Sequence, residues 1–225
     1  NPPVLESGMR EMEKNSEISS AIEELSKVVI TKHEENHEFA LIPTKPFISL
    51  CYLLLQVLDK IGPTMVVLRQ DLHQNIKRLE EMHETNPSIN SNLVEILKSE
   101  AREGNARKRC SCSKAFLWLT RSLDFTLALL QTLAIGPEKN MEQVVEESYD
   151  IALKPWHGWI SVAAFRVALK LVPESKTFMD LLKTKDENCD TQMEKMQILV
   201  SLLVPFLDET HCILRLYNLD RLKST

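Results

Sequence analysis

Five glycines in 225 residues set the tightest limit on what this chain can fold into. Ordinary usage near 7% would supply about 16. All-β folds, and parallel sheets with phosphate-binding loops, consume glycine in their turns, and this chain has too little for either. No pair or triplet of glycines exists, so the GxGxxG and P-loop motifs are absent. The glycines fall instead where helices should stop. Gly62-Pro63 follows the apolar run 47–61, Gly136-Pro137 follows the run 116–135, and Gly104 follows 96–102. Glycine suits the left-handed conformation just past a helix end, and proline suits the first turn of the next helix.

Between these marks apolar residues recur at spacings of three and four, as in Met65, Leu68, Leu72, Ile76, Leu79 and Met82. The pattern predicts helices at 16–33, 46–61, 63–85, 88–103, 114–135, 139–153, 157–171, 175–184 and 188–219. No stretch alternates with period two, so the expected fold class is all-α. Pro205 is expected to kink the last helix. The polar segment 31–42 reads as a linker. It divides an N-terminal extension, 1–43, with one extra helix, from a main body, 44–225.

Two of these segments are apolar nearly all round. Segment 116–135 is interrupted by Arg121 and Asp124, and 158–172 offers only Ser161, Arg166 and Lys170 as strongly polar groups. A helix apolar on every side is expected to be buried between others. Two such helices imply layers of helices enclosing a broad apolar interior. That interior is either a large core or room for an apolar guest, and the pattern does not choose.

Charge and cysteine content narrow the function classes. The 27 basic against 32 acidic residues give a net charge of −5, which disfavours a nucleic-acid partner, whose footprint is basic. Hydrophobic residues at 44% suit a globular protein. Five cysteines with no framework spacing point to a reduced, intracellular protein. No apolar stretch with a cleavage site stands at the start, so a secretory leader is not expected. The run 47–58 is well short of the roughly 18 residues a membrane span requires.

Three clusters can carry chemistry. At 100° per residue, Asp71, Asn75 and Arg78 fall within about 60° of one another, beside the apolar stripe of Leu68, Leu72, Ile76 and Leu79. A carboxylate, a carboxamide and a guanidinium offer acceptors only, both kinds, and donors only. That mixture suits a polyhydroxylated ligand such as a sugar, or it is a structural polar stripe with an Asp–Arg pair. The second cluster is Trp118 with Arg121. Trp118 is either a platform for a ring or a core aromatic, and Arg121 on so apolar a helix needs an acidic or polar partner. The third is the segment 154–159, which holds Trp156, His157 and Trp159. His157 can donate and accept near neutral pH. Trp159 could anchor at a membrane interface, or the group could be an aromatic helix cap. Cys110 and Cys112 have no matching Cys or His pair, so no metal site is expected. The basic loop of Arg107, Lys108, Arg109 and Lys114 is a solvated loop or an attraction for anionic headgroups.

At these clusters the sequence resembles the glycolipid transfer protein family, in its plant-type form, over about 44–219. The motifs that carry the resemblance are Lys45-Pro46-Phe47, Asp71 to Ile76 with Arg78, Leu117-Trp118-Leu119 with Arg121, and Trp156-His157-Gly158-Trp159. The resemblance implies a two-layer helical sandwich holding one sphingolipid, with its chains between the layers. It implies that Asp71, Asn75 and Arg78 hydrogen-bond the first sugar while Trp118 lies under its apolar face. Asp71 and His157 would hold the ceramide amide, Arg121 would support the site, and Trp159 would touch the membrane. Arg78 stands where many members have lysine, and the C-terminus lacks the tyrosine that some animal members bring to the sugar. A ceramide-phosphate branch of the family looks to have basic residues at the positions of Asn75 and Trp118, so these two favour a neutral glycosphingolipid.

The implied protein is a non-enzymatic, monomeric carrier of a glycosylceramide that needs neither cofactor nor metal. It would be cytoplasmic and transiently peripheral at membranes. A ceramide-phosphate carrier, a lipid-sensing adaptor and a helical lipid hydrolase are the competing readings. No activated nucleophile is visible for the last.

Overall fold

The computed structural model describes residues 15–35, 41–136 and 138–224. Its helices are α1 Glu17–Glu35, α2 Thr44–Ile61, α3 Val66–Thr85, α4 Leu93–Arg102, α5 Cys112–Ile135, α6 Met141–Ala152, α7 Trp159–Leu169, α8 Ser175–Leu182 and α9 Cys189–Leu216, with three short 3₁₀ turns. Among the described residues there is no β-strand; a single isolated bridge pairs Pro43 with Asn92. The fold is an all-α, two-layer helical sandwich, as expected from the glycine distribution.

Helix ends follow local chemistry. Gly62 and Gly104 take positive φ of 110° and 69° at the ends of α2 and α4, a conformation that costs glycine little. Gly136 ends α5 with φ −147° and ψ 78°, outside the left-handed region. The start of α5 is held more heavily. Ser111 Oγ accepts from Lys114 N at 3.0 Å, while the Glu100 carboxylate accepts from the N–H groups of Cys112 and Ser113 at 2.8 and 2.7 Å. A carboxylate at this end also meets the positive pole of the helix dipole.

Five helices close a ring of contacts, running α1, α2, α3, α5, α9 and back to α1. Phe47 on α2 lies inside it, 5.1 Å from the Phe116 ring on α5 and 6.3 Å from the Phe206 ring on α9. Helix α5 is central, touching α3, α4, α6 and α9. Its buried side chains, including Phe116, Leu119 and Leu123, confirm the expectation of a helix enclosed by others. The extra helix α1 buries Ile18, Ala21, Leu25 and Val28 in the same core. Lys60 ties it to α2 through Glu17, at 2.6 Å.

Three expectations fail for physical reasons. The segment 31–42 is not simply a linker: α1 runs on to Glu35, and Ile42 is buried with its N–H on Asn92 Oδ1 and its C=O on Leu93 N. Residues 36–40 lie outside the described residues. Leu68, read as part of the buried stripe, is 51% exposed, because α3 begins beyond the layer that covers Leu72, Ile76 and Leu79. Most consequentially, α7 is not enclosed. Of its residues only Leu169 is buried, while Trp159, Ile160 and Val167 face out. An apolar helix is pushed from water, but water-excluding surroundings need not be the protein's own core.

Helix α9 runs on through Pro205 without a break. It is long and apolar enough to cross a membrane by length and composition, which the short run 47–58 did not suggest. Its inner face, including Leu203, Phe206 and Leu207, belongs to the core cluster instead.

Candidate functional site

The three sequence clusters meet where α3, α5 and the segment 154–159 converge. Trp118 and Arg121 share one face of α5 because they are three residues apart. The Arg121 guanidinium carbon lies 4.7 Å from the Trp118 ring centroid and 4.3 Å from that of Trp156. The cation is thus held against two indoles, each contact contributing about 0.5–2 kcal/mol. Arg121 is only 2% exposed, and its Nη2 donates to Asp220 O at 3.0 Å. The partner required by burial is therefore a backbone carbonyl rather than a carboxylate. Burial pulls the guanidinium down to about 10 against the raising effect of Asp124 and Asp220, so it stays cationic at neutral pH. Its Nη1 has no hydrogen-bond partner among the described residues.

His157 stands beside this group, its ring 5.7 Å from that of Trp118. Tyr149 Oη lies 3.0 Å from His157 Nδ1. Tyr149 is itself fixed by stacking on Phe165 of α7, at 3.5 Å and 5°. Burial first, then the Arg121 charge, lowers the His157 pKa below its ordinary 6.5, with Asp71 acting in the opposite direction. His157 is therefore neutral at pH 7. A depressed pKa contributes stability that is complete above the unfolded value and is lost as pH falls through the folded one. Acidification below about 6.5 should therefore destabilise the wild type more than His157→Gln. Urea midpoints across that range check this; parallel pH curves would remove His157 from the buried cluster.

Asp71 is the exposed member of the α3 trio, and Asn75 and Arg78 are half-buried. Arg78 Nη1 donates to Asn75 Oδ1 at 3.3 Å, so the structural pair on this face is Arg78–Asn75, not Arg78–Asp71. That leaves the Asp71 carboxylate facing solvent, close enough to His157 to act on its charge. Trp159 sits two residues beyond His157 but stands apart from the cluster at 81% exposure.

Trp156, named in the third cluster without a role of its own, lies against Arg121. Sequence reasoning missed two contributors beside His157. Tyr149 is eight residues earlier on α6 with no spacing that marks it. The strap 219–224 is supplied only by the fold: Ser224 N–H bonds Trp156 O at 2.8 Å, and Ser224 Oγ accepts from Gly158 N at 2.8 Å. Elsewhere, Cys112 is buried and Cys110 exposed. Among the described residues no cluster of His, Cys, Asp and Glu could hold a metal.

The fold and this polar, aromatic cluster together can be compared with known proteins. The chain belongs to the glycolipid transfer protein family, whose profile, described as Glycolipid transfer protein (GLTP), matches residues 42–184. It is 54% identical over 217 residues to glycolipid transfer protein 3 of Arabidopsis thaliana, covering 94% of this chain and 93% of that one. It is 51% identical to Arabidopsis glycolipid transfer protein 2, over 95% of this chain and 96% of the relative. A solved structure of FAPP2, described as selecting simple glycosphingolipids with the GLTP fold, matches at 28% identity and TM-score 0.75, covering 84% of this chain and 92% of that one. Arabidopsis ACD11, solved with a ceramide-1-phosphate, shares the fold at TM-score 0.79 and 18% identity, covering 92% of this chain and 98% of that one. The chain is therefore a plant-type lipid transfer protein and not an enzyme.

Proposed function

We propose that this protein carries a glycosylceramide between membranes, as a monomer on their cytoplasmic faces. One observation carries the reading: Arg121, among the described residues the one fully buried cation of the cluster, lies against two indoles and gives Nη2 to the Asp220 carbonyl, which leaves it a single buried donor nitrogen unpaired, Nη1. A phosphate headgroup needs free cations with several donors, whereas a sugar needs mixed donors and acceptors, an exposed carboxylate and an aromatic face. Asp71, Asn75 and Trp118 supply those. The relatives named glycolipid transfer proteins at 54% and 51% identity favour the same ligand class.

The amide of the ceramide then divides between two groups. Asp71, ionised, accepts from the amide N–H. With Tyr149 donating to Nδ1, neutral His157 presents Nε2–H to the amide C=O. The unpaired Arg121 Nη1 gains an acceptor from a sugar hydroxyl; a buried donor without one costs about 1–3 kcal/mol. Five unpaired cysteines, two of them buried, support a reducing, cytoplasmic setting.

The apolar chains would lie against the half-buried residues at the margin of the core, among them Leu53, Leu54, Val57, Phe125 and Phe165. Vesicle-to-vesicle transfer of fluorescent glucosylceramide, galactosylceramide and ceramide phosphate tests the proposal. Preference for either glycolipid supports it, and preference for ceramide phosphate overturns it.

Membrane contact falls to α7, whose outer face carries Trp159, Ile160 and Val167 in water. An indole at a bilayer interface keeps its apolar body in lipid and its N–H wet. Because Trp159 is exposed, Trp159→Ala removes little packing, and the unfolding midpoint should not move. Vesicle partitioning and transfer should each fall about tenfold, a loss of about 1.4 kcal/mol. Affinity for a short-chain soluble glycolipid should be unchanged; if it falls equally, Trp159 belongs to the ligand site instead.

A further inference from the structure

Helix α9 ends in a tight reversal. Asn218 adopts the left-handed conformation, φ 55°, which asparagine tolerates better than most residues. Asn218 N–H bonds Arg215 O at 3.0 Å and Leu219 N–H bonds Leu214 O at 2.9 Å, the paired closure of a Schellman cap. The reversal buries Leu219 and turns 220–224 back across the Arg121 and Trp156 group.

On the outer side of the same reversal, Arg107, Arg215 and Arg221 surround a cleft of about 370 Å³ together with Asn218 and Asp220. The three guanidiniums come from three places: the loop between α4 and α5, the last turn of α9, and the strap. Among the described residues none of the three forms an ion pair with a carboxylate. Arg107 is held in place, its Nη2 donating to Asn218 O at 3.1 Å. Its loop is tied down by Ser111 Oγ donating to Ala106 O at 2.8 Å. Three cations against the one carboxylate of Asp220 reverse, locally, the −5 charge of the whole chain. Such a concentration of like charge is offset by an anion with several oxygens, and guanidinium forks match phosphate oxygens two at a time. A neutral sugar has no use for three cations.

We propose that this cleft binds a phosphomonoester, borne on a lipid headgroup or on a free phosphate ester, and that binding fastens the strap 219–224 against the Arg121 group. The coupling runs through Asp220, which lines the cleft with its own residue and holds Arg121 with its carbonyl. Neither the cleft nor its ligand depends on which sphingolipid is carried.

The test uses the full chain with two probes: phosphatidylcholine vesicles with and without phosphatidic acid, and glycerol 3-phosphate in calorimetry. Combined Arg107→Gln, Arg215→Gln and Arg221→Gln should lower binding of the responding probe about tenfold or more. A control with Lys108→Gln, Arg109→Gln and Lys114→Gln, equal in charge but outside the cleft, should retain it. A response to phosphatidic acid alone assigns a membrane lipid; a response to glycerol 3-phosphate assigns a free ester. Tryptophan emission from Trp118 and Trp156 should shift on binding in the wild type and not in the cleft variant. No response to either probe, equal binding by the cleft variant, equal loss in the control, or unchanged emission would overturn the proposal.

Discussion

Asp71→Val should abolish glycosylceramide transfer while leaving the helical circular dichroism and the urea midpoint unchanged. The side chain is exposed on α3 and forms no ion pair among the described residues, so the fold does not depend on it. In the proposed complex it accepts from both the ceramide amide and a sugar hydroxyl. Hydrogen bonds to a charged group contribute about 1.5–3 kcal/mol each, so losing two should reduce transfer a hundredfold or more. Asp71→Asn keeps one acceptor oxygen and loses the charge, so it should fall between. Transfer by Asp71→Val at the wild-type rate would take Asp71 out of the site.

The second large effect is a change of headgroup. Asn75→Lys together with Trp118→Arg should depress glucosylceramide transfer at least tenfold and make ceramide phosphate transfer measurable, on the scale of one lost ring contact and one lost carboxamide. The structure sharpens the reason. In the wild type Trp118 presents its ring to Arg121. An arginine at 118 would instead set a second guanidinium beside the first, and like charges about 4 Å apart repel by about 4 kcal/mol in a partly hydrated site. An anion between them relieves that repulsion. Inorganic phosphate should therefore raise the melting temperature of the double variant more than that of the wild type. Equal shifts would mean that the introduced cations point away from Arg121.

The sequence by itself determined the helices and the clusters from which the candidate site is drawn. Scarce glycine placed at breaks, and apolar residues at spacings of three and four, are local properties of the chain. They therefore marked α2, α5 and α9 to within a few residues. The clusters were legible for the same reason: Asp71, Asn75 and Arg78 share a helix face by spacing alone, and Trp118 and Arg121 do likewise, while their proposed roles came from the family resemblance.

What periodicity could not report is what each face meets. Segment 158–172 read as buried because it is apolar all round, yet α7 stands largely outside the core. Hydrophobicity states that a surface avoids water, not whether protein or lipid covers it. Arg121 announced that it needed a partner, but the Asp220 carbonyl lies 99 residues away and arrives only because Asn218 reverses the chain after α9. Tyr149 meets His157 because α6 is followed by a 3₁₀ turn that folds the segment 154–159 back over it. Spacing along one helix is set by the backbone repeat and can be counted; proximity between elements is set by how the helices pack, and only the tertiary structure decides it.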